Sequence, residues 1–278
     1  MQMPEDAPLQ PDNNQFWIGY ARAMAGALIF AFPLLMTMEM WWLGMYLERH
    51  RLALFIVVLL PILIGLSRYS GFRETTNWYD DVVDGLVAFS AGVLTSAIFL
   101  ALFAVLDPGM SWNEIIGKIA VLAFPASIGA IVAGKQLGET ENDDQKRRAR
   151  YGGELFIMVT GALFIAFNVA PTEEIILIAY KMSGWHAIAL VLTSLLIMHA
   201  CVYALNFRGR HVRPENVTVW RLALHFTVAG YAIAVLVSAY VLWTFGRFDG
   251  LALERVVMVN TVLAFPAAFG AALARLVV

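Results

Sequence analysis

The segment GALIFAFPLLMTME at residues 26–39 returns in altered form as GALFIAFNVAPTEE at residues 161–174, with seven of fourteen positions identical. A second pair follows in the same order: VLAFPASIGAIVA at residues 121–133 and VLAFPAAFGAALA at residues 262–274 share nine of thirteen positions. Two long matches in the same order indicate an internal duplication, because chance similarity among apolar helices seldom includes Pro and Glu. The sequence therefore predicts a chain of two related halves.

The apolar segments of the chain have the length that a bilayer demands. Of the 278 residues, 60% are hydrophobic and 14% are charged, and the mean hydropathy is +0.70. A soluble domain is about 45–50% apolar and about 25% charged. A membrane-spanning helix needs about 20 mostly apolar residues. Eight segments approach or exceed that length: residues 17–43, 52–66, 82–106, 115–134, 155–180, 186–206, 220–245 and 253–277. We therefore predict an all-α polytopic membrane protein with eight transmembrane helices, arranged as two parallel four-helix repeats.

The predicted spans also determine the organisation of the chain. Four spans in each half make both halves enter the membrane in the same direction. The predicted parts are an N-terminal tail at residues 1–15, a first repeat at residues 16–134, a linker at residues 135–151 and a second repeat at residues 152–278. With these spans, thirteen Lys and Arg lie on the side of the termini and six on the other side. The positive-inside rule then places both termini, the tail and the linker in the cytoplasm. The expected location is the bacterial cytoplasmic (inner) membrane, with the lipid bilayer as partner.

Composition and missing motifs exclude several function classes. The single cysteine, Cys201, excludes a disulfide framework and a cysteine-rich zinc module. A net charge of −2 and a pI near 6.2 argue against a nucleic-acid partner, which requires a basic excess. The sequence has no phosphate loop, dinucleotide-binding glycine fingerprint, HExxH motif or nucleophile elbow. We therefore expect a protein that is not an enzyme and has no cofactor other than a bound cation.

Two glutamates occupy equivalent positions in the two halves. Glu39 and Glu174 each follow a Thr by two residues, and apolar sequence lies close to both. A charged side chain at the centre of a membrane helix costs roughly 2.5–3.5 kcal/mol on insertion scales, and acids retained there usually mark a path for ions or protons. A parallel two-fold axis would bring helices one and five together. Glu39 and Glu174, with Glu173, are then expected to share one site.

Proline residues predict interrupted helices before both acids. Pro33 lies six residues before Glu39, and Pro171 lies three residues before Glu174. A proline inside a helix removes a hydrogen bond and bends the helix. Irregular backbone at membrane depth persists only where protein or water satisfies it, and transporters build ion sites at such broken helices. We therefore expect Pro33 and Pro171 to open the backbone beside the acids.

The segment NVAPTEE at residues 168–174 is typical of a helix that restarts, with Asn168 or Thr172 as the cap and acids in the first turn. Freed carbonyls and carboxylates suit a hard cation such as Ca²⁺ or Mg²⁺, and close carboxylates also permit proton coupling. The expected metal ligands are the two repeated acids. The predicted ion site or pathway is formed by Glu39, Glu174, Glu173, Thr37, Thr172 and Asn168.

The second repeated segment carries small residues at helix-packing spacing. Pro125 and Gly129 in the first half correspond to Pro266 and Gly270 in the second. Such spacing allows helix backbones to approach closely, so a tight contact between helices is expected here. The two prolines, Pro125 and Pro266, are also candidate gating hinges.

The double acid Glu173-Glu174, followed by His199 and His225 in predicted spans, resembles the glutamate-type intramembrane proteases of the CAAX-processing kind, which also have eight spans. In those proteases an Arg follows the second Glu by four residues, whereas Ile178 stands at that place here. This alternative implies that the glutamates and the histidines lie within reach of one another.

The chain as a whole resembles a bacterial family of polytopic integral membrane proteins that is known only as uncharacterised. The resemblance spans nearly all eight predicted helices and includes the Ala-Phe-Pro segments at residues 123–125 and 264–266 and Pro-Thr-Glu-Glu at residues 171–174. It implies a membrane protein and carries no activity or site residues with it. The repeated acid is also similar in design to cation-exchanger families that repeat an acidic helix motif in each half, although their small-residue pattern around the acid is absent here.

Together these features predict membrane transport of a small cation, either H⁺ or a metal ion, through a carboxylate site formed by helices one and five. The protein would act as a channel or as a proton-coupled exchanger. A homodimer would bring four repeat-related helices together and favour a channel. The alternatives are the intramembrane protease and a membrane scaffold that transports nothing.

Overall fold

A computed structural model describes the chain over residues 13–70, 78–136, 151–201 and 227–277. Within these ranges the structure contains ten α-helices and no β-strand. In chain order the helices are α1 (Asn13–Leu35), α2 (Met38–Tyr46), α3 (Arg49–Ser70), α4 (Trp78–Leu102), α5 (Trp112–Gln136), α6 (Tyr151–Val169), α7 (Glu174–Lys181), α8 (Gly184–His199), α9 (Ala229–Thr244) and α10 (Leu253–Val277).

Six of these helices are long and apolar enough to cross a membrane, namely α1, α3, α4, α5, α6 and α10. Helices α7 and α8 meet at a bend of 120° and make a seventh span if the pair is taken as one broken span. Helix α9 is apolar but has only 16 residues. The predicted all-α membrane protein is therefore confirmed. The last predicted span, residues 253–277, coincides with α10.

Apart from the last one, the predicted spans differ in their bounds from the helices of the described residues, and three of the differences bear on the site. The span predicted at residues 52–66 is a helix of 22 residues, α3, with Pro61 inside it. The span predicted at residues 17–43 is broken after Leu35, and α2 follows. The span predicted at residues 155–180 is likewise broken, and α7 follows the break. Hydropathy does not reveal these breaks, because the residues on both sides of each are apolar.

Parts of several predictions lie outside the described residues. These parts are most of the predicted tail at residues 1–15 and nearly all of the predicted linker at residues 135–151. They also include the end of the predicted sixth span and the start of the seventh.

The described helices pack in two groups, each around one helix rich in Ala and Gly. Helix α5 contacts α1, α2, α3 and α4, and helix α10 contacts α6, α7, α8 and α9. Every residue of α5 from 121 to 131 is buried. Helices α3 and α5 also contact α6, and α3 contacts α9, so the two groups are joined along these helices.

Glycines let the central helices touch their neighbours backbone to backbone. A β-carbon at Gly129 of α5 would clash with the carbonyl oxygen of Gly26 in α1. A β-carbon at Gly270 of α10 would clash with the carbonyl oxygen of Gly161 in α6. Small residues permit such approaches, and dispersion contacts along the touching backbones then stabilise the helix pair. Both Ala-Phe-Pro segments therefore lie in helices that make close contacts.

The prolines differ in what they do to the backbone. Pro33, Pro61, Pro125 and Pro266 lie inside helices. Helices α5 and α10 continue past their prolines without a break, and Pro33 lies two residues before the end of α1. Only Pro171 of these five lies between helices. The hinge role of Pro125 and Pro266 remains a prediction.

Helices α2 and α7 lie at one end of the bundle, where α5 and α10 begin. Gly44 of α2 packs against Gly117 near the start of α5, where no β-carbon would fit. The carbonyl of Ala179 in α7 accepts a hydrogen bond from Arg255 near the start of α10, with a donor–acceptor distance of 3.2 Å. We call this region the short-helix end.

Candidate functional site

The first break, between α1 and α2, frees carbonyl groups that the chain itself satisfies. The Thr37 hydroxyl donates to the Pro33 carbonyl over 2.6 Å. The indole Nε1 of Trp41 donates to the Leu35 carbonyl over 2.8 Å. A helix end leaves carbonyls without intrahelical donors, and a buried carbonyl without a partner is costly. The donors at this break are therefore neutral groups within six residues of their acceptors.

The second break, between α6 and α7, uses its polar side chains differently from the expected cap. The Asn168 amide donates to the Phe164 carbonyl within α6 over 2.8 Å, and the Thr172 hydroxyl donates to the Val169 carbonyl over 2.8 Å. The residue at the N-cap of α7 is Glu173, and it makes no side-chain cap hydrogen bond. The expectation that Asn168 or Thr172 caps this helix is therefore wrong, because both side chains turn back towards α6.

An arginine from a distant loop binds the polar groups at the second break. Arg247, in the loop between α9 and α10, donates from Nη2 to the carbonyl of Pro171. Its Nη1 lies 2.6 Å from Oε1 of Glu173. The Arg247 side chain is only 10% exposed, whereas that of Glu173 is 68% exposed. A charged donor, held inside the protein, thus satisfies both a freed carbonyl and an acid that faces outwards.

The same loop, which we call the α9–α10 loop, is also fixed to α3. Arg51 Nη2 lies 2.9 Å from Oδ1 of Asp249, and Arg51 Nη1 donates to the Trp243 carbonyl over 2.7 Å. Gly246 and Gly250 adopt φ values of +70° and +75°, a region where a side chain would be strained. The loop therefore joins the first helical group, through Arg51, to the break in the second group.

Four phenylalanines pack where the two helical groups meet. Phe55 of α3, Phe124 of α5 and Phe167 of α6 are fully buried, and Phe245 at the start of the α9–α10 loop is 1% exposed. Ring centroids are 4.3 Å apart for Phe124 and Phe167, 4.7 Å for Phe55 and Phe124, and 5.6 Å for Phe167 and Phe245. Such ring pairs add stabilisation beyond their buried area. This cluster fills the space between the groups with apolar side chains.

The repeated acids both lie in the first turn of a short helix. Glu39 is half-buried in α2, which packs on α5, and Glu174 is exposed in α7, which packs on α10. Among the described residues, no group of three His, Cys, Asp or Glu side chains is arranged to hold a metal ion. Glu39, Glu173 and Glu174 thus do not form a three-carboxylate metal centre here. An acid in a first turn also interacts favourably with the helix dipole.

Sequence reasoning missed the two residues that complete the breaks. Neither Trp41 nor Arg247 was among the predicted site residues. A local signal existed for Arg247, because it stands in the apolar and glycine-rich stretch FGRFDG at residues 245–250. Its partner Glu173 is 74 residues away, and no local pattern could have identified that pair.

The protease alternative requires glutamate and histidine to lie together. His199 Nδ1 is 3.1 Å from the hydroxyl of Thr227, just before α9, whereas Glu173 pairs with Arg247, just after α9. The 16 residues of α9 span about 24 Å at about 1.5 Å per residue. Glu173 and His199 therefore lie near opposite ends of α9. His225 lies outside the described residues.

The chain matches over residues 19–278 a family described as "Putative integral membrane protein (DUF2391)". No curated protein and no solved structure matches it. The match covers all the helices beyond the first residues of α1, and it confirms the resemblance to an uncharacterised family of polytopic membrane proteins. The apolar helices described above agree with that description. The chain therefore belongs to this family of integral membrane proteins.

Proposed function

We propose that the protein transports a small cation, H⁺ or a metal ion such as Ca²⁺, across the membrane along the carboxylates at the two helix breaks. One observation carries the proposal. Glu39 and Glu174 each lie in the first turn of a short helix that begins after a break in an apolar helix. Acids and freed carbonyls at broken helices are the groups from which transporters build ion sites.

The proposal includes an arrangement of eight spans in two parallel repeats. The glycine contacts support it, because Gly26 meets Gly129 in one group and Gly161 meets Gly270 in the other, at matching positions of the duplicated segments. The groups of helices around α5 and α10 also correspond in their order along the chain. In this arrangement α1 with α2 corresponds to α6 with α7, and α3, α4 and α5 correspond to α8, α9 and α10.

The proposed two-fold axis passes between α1 and α6. The rings of Phe30 and Phe164 lie with their centroids 4.8 Å apart. A β-carbon at Gly129 would also meet Phe30, and one at Gly270 would meet Ile165, which is the counterpart of Phe30 in the duplicated segments. Contact between near-equivalent positions of two helices is what a two-fold axis between them produces.

Each acid is proposed to act within its own half. Glu39 and Glu174 bind the ion in turn or in parallel, and Glu173 assists at the second break. The hydroxyls of Thr37 and Thr172 donate to backbone carbonyls, so their oxygens retain lone pairs that a cation can use. In the proposed topology both termini are cytoplasmic, so the short-helix end faces the outside of a bacterial inner membrane.

A flux measurement tests the proposal. The full chain is reconstituted in vesicles that contain a pH-sensitive dye, and fluxes of H⁺, Na⁺, K⁺ and Ca²⁺ are screened. The double substitution Glu39→Gln with Glu174→Gln removes both charges at nearly constant volume and is expected to abolish the flux. Unchanged flux in this variant would overturn the proposal. Saturable, proton-coupled uptake would identify an exchanger, whereas single-channel currents would identify a channel.

Glu254→Gln is the matched control for this experiment. Glu254 is also an exposed acid in the first turn of a helix at the short-helix end, but it follows no break in an apolar helix. Its substitution is expected to leave the flux within about twofold of the wild type, since an exposed charge acts only through a screened field. An equal loss in this control would show that general surface charge, rather than the repeated acids, supports the flux.

A further inference from the structure

We propose that Arg247 acts as a tethered cation in a cation-binding site formed by the Glu173 carboxylate and the Pro171 carbonyl, and that a free hard cation binds there by displacing the guanidinium. The inference rests on the proposed function, because it assigns a ligand and a competitor to the second break. It goes further by naming the residue that closes the site.

The two oxygens at this site are of the kind that hard cations prefer. A carboxylate oxygen of Glu173 and the carbonyl oxygen of Pro171 are both bound by the two terminal nitrogens of one guanidinium. A single guanidinium therefore bridges them. Carboxylate and backbone carbonyl oxygens are the usual protein ligands of Ca²⁺. A cation that replaced the guanidinium would find both oxygens already oriented.

The site is open to solvent on the side of its acid. The Glu173 side chain is 68% exposed, so an ion reaches the carboxylate without passing through the protein. The Arg247 side chain is 10% exposed, and its Nε is buried without a hydrogen-bond partner among the described residues. A buried donor without a partner is costly. The guanidinium is thus held with one donor unsatisfied, which lowers the cost of displacing it.

The α9–α10 loop allows Arg247 to leave without detaching the loop. The loop has a second attachment to α3, through the pair of Arg51 and Asp249 at 2.9 Å and the bond from Arg51 to the Trp243 carbonyl. Displacement of Arg247 removes only the attachment of this loop to the segment between α6 and α7. When a cation binds, it replaces the Arg247 guanidinium at the second break. The loop then stays anchored to the first helical group through Arg51.

Among the described residues, no charged competitor contacts the carbonyls freed at the first break. The Leu35 carbonyl there accepts from the indole of Trp41, which carries no charge. The residue that corresponds to Glu173 in the duplicated segment is Met38. Within the part of the chain that the structure describes, the tethered-cation site therefore occurs at the second break alone, and a binding measurement is expected to give one displaceable site.

Cation affinity tests the site directly. Binding of Ca²⁺ and of Na⁺, each alone, is measured on the purified full chain in detergent by titration calorimetry. Arg247→Gln is expected to tighten the affinity for at least one of these ions by roughly tenfold, because it removes the charged donor that competes for both the carboxylate and the carbonyl oxygen. Adding Glu173→Gln to that variant is expected to abolish the gain. Affinities equal to the wild type for both ions in the Arg247→Gln variant would overturn the proposal.

Arg255→Gln is the control variant. Arg255 also donates to a carbonyl of α7, that of Ala179, and stacks on the Tyr180 ring, but it forms no ion pair with a carboxylate of the described residues. Its removal takes the same charge from the short-helix end and is expected to leave the cation affinity unchanged. A tenfold gain in this control as well would show that general charge, not displacement of Arg247, sets the affinity, and would contradict the proposal.

If the Arg247→Gln variant does not fold, a measurement on the wild-type chain tests the same proposal. Phenylglyoxal modification of Arg247 is followed by mass spectrometry as Ca²⁺ or Na⁺ is raised, with N-methylglucamine chloride as the ionic-strength control. Modification is expected to rise severalfold with the small cation and to stay constant with the bulky one. No difference between the cations would overturn the proposal. Cation binding at Glu173 combined with normal flux in the Glu39 and Glu174 double variant would instead refute the proposed role of those two acids in transport and leave the cation site standing.

Discussion

The two helix breaks start from similar sequences and end with different chemistry. At the first break the freed carbonyl of Leu35 is bound by the neutral indole of Trp41, six residues further along the chain. At the second break the carbonyl of Pro171 is bound by the charged guanidinium of Arg247, 76 residues further along. The comparison shows that a break in an apolar helix requires a donor but does not specify which one, since any buried carbonyl must be satisfied.

The difference has consequences for how each break responds to its surroundings. An indole within the adjoining short helix keeps its position as long as that helix is folded. A guanidinium from another part of the chain holds its position through tertiary packing, and its ion pair with the exposed Glu173 is expected to weaken as the salt concentration rises. Of the two breaks, the second is therefore the one whose hydrogen bonding we expect to change with ionic conditions.

Removal of the charged donor is expected to have the largest effect. Arg247→Met retains an apolar stem but leaves the Pro171 carbonyl without its donor. Hydrogen bonds from charged groups are worth about 1.5–3 kcal/mol, and the largely exposed pair with Glu173 adds little. The free energy of unfolding, measured by titration with SDS from mixed micelles, is expected to fall by about 2 kcal/mol.

Arg247→Lys serves as the control for that variant. It retains the charge and a donor but cannot bridge the two oxygens as a planar fork does, so it is expected to recover about half of the loss. A fully stable Arg247→Met variant would show that the second break does not depend on this donor.

Removal of the neutral donor is expected to have a smaller effect. Trp41→Phe keeps an aromatic ring and deletes the N–H that binds the Leu35 carbonyl. A bond between neutral groups contributes about 0.5–1.5 kcal/mol, so the same titration is expected to show a loss of about 1 kcal/mol. Trp42→Phe is the control, because Trp42 is 56% exposed, and it is expected to change stability by less than about 0.5 kcal/mol. Equal effects of the two substitutions would contradict the assigned role of Trp41.

The effect of salt on stability is expected to be the smallest of these effects, but it separates the two helix breaks most clearly. A double-mutant cycle of Glu173→Gln and Arg247→Met is expected to give a coupling of less than about 1 kcal/mol at low salt, because Glu173 is 68% exposed. The coupling is expected to vanish near about 0.5 M NaCl, where screening is strong. The effect of Trp41→Phe is expected to be independent of salt. A coupling that persists at high salt would indicate a pair shielded from solvent.

Much of the fold was predictable because membrane helices carry a local signal. The residues of α10 were predicted at their observed bounds, and Pro171 correctly indicated an interruption in the fifth predicted span. The break after Leu35 was less visible, because Pro33 lies inside α1 and the chain leaves the helix only at residues 36–37. Proline predicts disturbance of a helix but not the residue at which the helix ends.

The candidate site was predictable only in part. Glu39 and Glu174 could be selected from the sequence, since a repeated acid in apolar sequence is rare and costly. The expected sharing of one site with Glu173 depended on where α2 and α7 turn after their breaks. In the structure α2 packs on α5 and α7 packs on α10, and Glu173 has Arg247 as its partner.

The sequence by itself determined that this chain is an all-helical membrane protein, where most of its helices lie and which helices are interrupted. Hydropathy and proline act on the nearest residues, so their effects can be read along the chain. Only the tertiary structure decided which donor satisfies each break and which acid is already paired. Those choices join residues as much as 76 positions apart, and the free energy of desolvating polar groups depends on the partner that packing supplies.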